Sequence, residues 1–152
     1  MHCNLYLKKG IVYIPTMGQM GRGFYRGIEP VAIASASDTE SLRQALRETI
    51  NRGNPAVVVP HRDEFPPSPI LKYAGVSSWS AFVRNVMSWS IKTRGGSDII
   101  SSRLIQPDGS IVEDPDHVIR LPAGTPVEEV IERMIVIVQE AAKLSSMNDR
   151  ER

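Results

Sequence analysis

The chain has 152 residues, 41% of them hydrophobic and 23% charged, with a formal net charge of +1 and a single cysteine, Cys3. That length and composition suit one soluble globular domain with a core of its own. The near-neutral balance supplies no global field for nucleic acid or an anionic membrane, and one cysteine excludes an intrachain disulfide. The N-terminal stretch MHCNLYLKKGIVYIP lacks the apolar run and cleavage site of a secretory signal. No segment reaches the roughly 20 apolar residues that a membrane span needs. A cytoplasmic protein is the expectation.

Residues 3–7 and 10–15 read as two short strands rich in Leu, Tyr, Val and Ile, with Lys8, Lys9 and Gly10 turning between them. TMGQMGRG (residues 16–23) has three glycines and reads as a loop. A strand resumes near Phe24, and PVAIASA (residues 30–36) reads as a further strand. Residues 37–53 form the first clear helix. Ser37 and Glu40 make a capping box, Leu42, Ala45, Leu46 and Ile50 line one face, and Gly53 with Pro55 ends it. The apolar residues 56–59 then read as a strand, and the strand–helix–strand order permits a parallel crossover. The next segment, to residue 69, carries four prolines and is loop, followed by one helical turn at residues 70–75.

VSSWSAFVRNVMSWSI (residues 76–91) holds both tryptophans. Trp79, Phe82, Val83, Val86 and Met87 recur at helical spacing behind Ser77 and Ser78, which can cap the first free N–H groups. Trp89 and Ile91 alternate with Ser88, Ser90 and Lys92, the pattern of a strand with one buried face. Both tryptophans are therefore expected to serve the core. Residues 99–106 and 110–112 flank Pro107-Asp108-Gly109 and predict a hairpin, and residues 118–121 predict one more strand. Thr125, Pro126 and Glu128 open a second long helix to Leu144, with Val127, Val130, Ile131, Met134, Ile135 and Val138 facing inward. The polar residues 145–152 read as a disordered tail. The expected fold is α+β or α/β: one domain over residues 1–144, a mixed sheet of about five to seven short strands, two main helices and one or two short ones.

No catalytic constellation stands out. Gly18, Gly21 and Gly23 are spaced G-x-x-G-x-G, not as the dinucleotide fingerprint, and no helix follows to hold a phosphate. His61-Arg62-Asp63 begins like a kinase catalytic loop, but the asparagine such a loop needs downstream is missing. His61, Asp63 and Glu64 are adjacent on a proline-rich loop, where neighbours rarely converge on one metal ion. The order Asp114-Pro115-Asp116-His117 offers carboxylates and an imidazole, which could do acid–base work only if burial split their pKa values. The proline there points to a surface turn. Neither a cofactor nor a metal is expected. Charge is locally polarised, however. The charged residues before residue 28 are Lys8, Lys9, Arg22 and Arg26, whereas those of residues 106–117 are Asp108, Glu113, Asp114 and Asp116. Such polarity can steer a protein partner.

The order and texture of several stretches resemble the immunity proteins of bacterial contact-dependent growth inhibition systems. They are VYIPT (residues 12–16), EPVAIA (29–34), GNPAVVVP (53–60), GVSSWSAFVRNVMSWSI (75–91), QPDGS (106–110) and LPAGTPVEEVIERMI (121–135), which together span nearly the whole chain. The resemblance implies a small non-catalytic protein that binds the C-terminal toxin domain of its effector, often a nuclease, and blocks it. It transfers no binding residue, because such families diverge at the toxin-facing surface. If the toxin cuts nucleic acid, its active-site surface is basic and an acidic patch would dock there. Asp108, Glu113, Asp114 and Asp116 are then the first candidates for partner binding, and Asp63 and Glu64 the second. The alternative is a small cytosolic enzyme or ligand-binding domain that uses the glycine loop of residues 18–23.

Overall fold

A computed structural model describes residues 1–61 and 65–150, so the candidates Asp63 and Glu64 lie outside the described residues. Six strands, β1 (His2–Lys8), β2 (Ile11–Gly21), β3 (Phe24–Ser35), β4 (Met87–Arg94), β5 (Ser97–Ile105) and β6 (Ile111–Arg120), form one sheet in the order β3-β2-β1-β4-β5-β6. Every pairing between them is antiparallel. The fold is α+β in a single domain, with four helices among the described residues: α1 (Thr39–Arg52), α2 (Ile70–Ala74), α3 (Trp79–Val83) and α4 (Val127–Arg150).

The sheet is buried on both faces, which explains the unbroken buried run of residues 3–7 in β1. On one face Cys3, Leu5, Leu7, Val12, Ile14, Trp89, Ile91 and Ile100 pack with Leu42 and Leu46 of α1 and with Val130, Ile131, Met134 and Val138 of α4. On the other, Tyr6 and Tyr13 pack with Ile70, Leu71, Phe82, Val83 and Val86 from the α2–α3 segment. The side chains of a strand alternate between faces, so Leu5 and Tyr6 reach different layers. Arg43 and Arg47 of α1 pair with Glu132 and Glu128 of α4. These bridges are exposed and fix helix orientation more than stability.

Several sequence expectations change. The sheet is antiparallel rather than mixed, and residues 56–59 form no strand. Gln19 meets Ala56 in one isolated parallel bridge, with Gln19 N–H donating to Pro55 O at 2.8 Å and Val57 N–H to Gln19 O at 2.9 Å. Asn54 explains the stop. Its amide accepts from His2 N–H at 3.0 Å and donates to His2 O and Met17 O at 2.8 and 2.9 Å. It clamps the start of β1 to β2, and the chain then covers β2 for a single bridge only. Residues 16–21 belong to β2 rather than to a loop; Arg22 and Gly23 form the turn to β3, and Gly21 pairs with Phe24. Gly18 has a packing reason: an added Cβ would lie 2.8 Å from Val57 Cγ1.

The cap of α1 is Asp38, not Ser37. Its carboxylate accepts from Ser41 N–H at 3.1 Å and from the Ser41 hydroxyl at 2.8 Å, while Glu40 turns to Arg43. Ser78 caps α3 by accepting from Ala81 N–H at 3.1 Å, as its position suggests. Helix α4 runs past Leu144 to Arg150. The strand expected at residues 118–121 is the second half of β6, continuous with the hairpin strand.

Candidate functional site

Edge strands expose unpaired backbone groups, and both edges of this sheet are interrupted. In β3, Glu29 and Pro30 intervene between Ile28 and Val31, whose partners Thr16 and Pro15 are adjacent. In β6 the break is larger. Arg103 pairs with Glu113 and Ser101 with Val118, so residues 114–117 stand opposite Ser102 alone. The segment expected to be a free surface turn is thus a bulge within a strand. A proline and an irregularity on each edge disfavour addition of a further strand. The β6 bulge instead pushes side chains outward.

The bulge organises the acidic candidates in different ways. Asp114 is the anchor: its carboxylate accepts from Asp116 N–H at 3.0 Å and contacts His117 Nδ1 at 2.7 Å. The Asp116 N–H, and then His117, hold the Asp114 carboxyl below its usual range. Glu113 accepts from Lys92 Nζ at 3.0 Å, and that bond lowers its pKa. Its charge is therefore largely spent inside the molecule. Asp108 builds the hairpin turn, accepting from the Ser110 hydroxyl at 2.6 Å and from Ser110 N–H at 2.9 Å. Asp116 is exposed, and its side chain makes no hydrogen bond among the described residues. The four candidates occupy one hairpin, but only Asp108 and Asp116 present a carboxylate outward, because the Asp114 side chain is only 13% exposed beneath His117. Leu104, Val112 and Val118 add exposed apolar surface at 44–45% exposure. Among the described residues, no group of three or more His, Cys, Asp or Glu is placed to hold a metal.

A second polar feature is absent from the sequence reading. Ser88, Ser90 and Lys92 were expected on the solvent side of a half-buried strand, yet Ser88 and Ser90 are buried. The reason is position: β4 is central, with neighbours on both sides. Asn4, Ser90 and Ser101 lie side by side across β1, β4 and β5, all with at most 4% exposure. Among the described residues, Asn4 Oδ1 and Ser90 Oγ have no hydrogen-bond partner. Arg103 donates to Tyr6 Oη at 3.3 Å and Ser88 Oγ at 3.2 Å. Burial, then the charges of Lys92 and Arg103, push the His2 imidazole down to about 4. His2 also stacks on Tyr25, with ring centroids 4.2 Å apart. The alternation of polar residues in β4 was readable; their partners were not, because they come from the register of distant strands.

No protein-family model matches the chain, and no curated protein matches it in sequence. In three dimensions it is similar to a protein of unknown function, NMB0488, from Neisseria meningitidis, with a TM-score of 0.61 at 16% identity. The match covers 86% of this chain and 88% of that one, and at this identity it bears on the fold alone.

Proposed function

We propose that this chain is an immunity protein: it binds and neutralises the C-terminal toxin domain, often a nuclease, of a contact-dependent growth inhibition effector, in the cytoplasm and without chemistry of its own. The observation that carries the reading is the β6 bulge. A sheet edge closed to strand addition displays the consecutive exposed residues Asp116, His117 and Val118. An inhibitor needs such a rigid, mixed apolar and acidic surface, and complementary charge raises the rate of encounter with a basic partner. The sequence order from residue 12 to residue 135 supports the same reading.

Asp116 is the cleanest probe, since only its backbone N–H, which the substitution leaves in place, takes part in the internal bonds of Asp114. Asp116→Lys should slow association with the toxin domain by about 3- to 10-fold at low salt, with little effect on folding. Stopped-flow measurement across a salt series reads this directly. An unchanged association rate with unchanged salt dependence would remove the β6 edge as the docking surface.

A further inference from the structure

A cleft of about 540 Å³ opens between β3 and the segment that carries α2, far from the β6 edge in the strand order. Its walls are mostly apolar, with Ile28, Pro66, Pro69, Leu71 and Val76 prominent. That size and lining fall within the range of small-molecule sites, roughly 300–1,000 Å³ of apolar wall with a few polar groups that fix orientation.

Three charged side chains line this cleft: Arg26, Glu29 and Lys72. Two of them satisfy each other. Glu29 accepts from Lys72 Nζ at 2.5 Å and from the Tyr73 hydroxyl at 2.9 Å. Those contacts lower the Glu29 pKa and raise that of Lys72. Arg26 is different. Among the described residues, Arg26 forms no ion pair and its Nε, shielded from solvent, has no hydrogen-bond acceptor. Arg26 is half-buried on an apolar wall, and a planar carboxylate in the cleft matches the fork of guanidinium donors left without an acceptor. A dianion would suit the place poorly, because Glu29 lines the same cleft.

We propose that the cleft binds a small molecule carrying one carboxylate on an apolar stem, with the carboxylate on Arg26 and the stem against Ile28, Leu71 and Val76. The proposal is independent of the toxin-binding reading, and its test uses no toxin.

Octanoate is the probe, with 1-octanol as its uncharged match, and binding is read by calorimetry on the full chain. Octanoate should bind saturably at one site, and octanol at least about tenfold more weakly, the usual scale of one charge-assisted contact. Arg26→Gln should abolish that preference. Ser77→Trp, at an exposed position on the cleft, should block both ligands while leaving Arg26 in place; it carries the test if Arg26→Gln fails to fold. Absence of saturable octanoate binding, or equal affinity in wild type and either variant, overturns the proposal. Binding of a short acidic peptide without octanoate binding also overturns it, and assigns the cleft to a side chain of a protein partner.

Discussion

Phe82→Ala is expected to lower the free energy of unfolding by about 3–5 kcal/mol, the range for truncating a buried aromatic. Phe82 is fully buried, and its ring lies 5.6 Å from Tyr6, 5.8 Å from Tyr13 and 5.4 Å from Trp79, centroid to centroid. It is the point at which the short α2–α3 segment grips the sheet. Helices of five residues have little stability of their own, so this layer depends on packing. Removing the ring leaves both tyrosines and the tryptophan facing a void. Urea denaturation checks it. A loss below about 1 kcal/mol would mean that the second layer contributes little to holding the sheet.

Trp89→Ala should cost a similar amount, about 3–5 kcal/mol, whereas Trp79→Ala should cost less. The two tryptophans anchor opposite layers. Trp89 is 4% exposed and packs in the α1–α4 core, paired across the ladder with Leu5. Trp79 is only partly buried; it packs edge-on to Tyr6, and its indole N–H donates to Gly109 O at 3.1 Å. That bond ties α3 to the β5–β6 turn, so Trp79 positions the acidic hairpin as well as filling space. Equal losses at the two sites, measured in the same denaturation series, would contradict this division.

How much of the structure is legible in the sequence depends on the range of the forces involved. Local signals carried well. Gly53 ends α1 with φ 76°, Ser78 caps α3, and Pro107-Asp108-Gly109 makes the hairpin turn. Their causes lie within a few residues. One local signal missed by a residue, since Asp38 rather than Ser37 caps α1; the larger differences lie where strand neighbours decide the outcome. Residues 56–59 have strand composition but meet only Gln19, and Ser90 reads as a solvent-facing residue until β1 and β5 flank it. The acidic run of the candidate site was legible as composition. Its division into an anchor, a neutralised residue and an exposed one was not. Glu113 is neutralised by Lys92, which lies 21 residues earlier, and the bulge that exposes Asp116 exists only as a mismatch between β5 and β6.

The central claim is that this fold serves as a stoichiometric inhibitor. Its most direct test mixes the purified protein with the purified C-terminal toxin domain of the effector proposed as its partner, and follows toxin activity as the protein is titrated in. The account predicts a 1:1 complex and complete loss of toxin activity at equivalence. Full toxin activity in the presence of excess protein, with no complex on gel filtration, would contradict it.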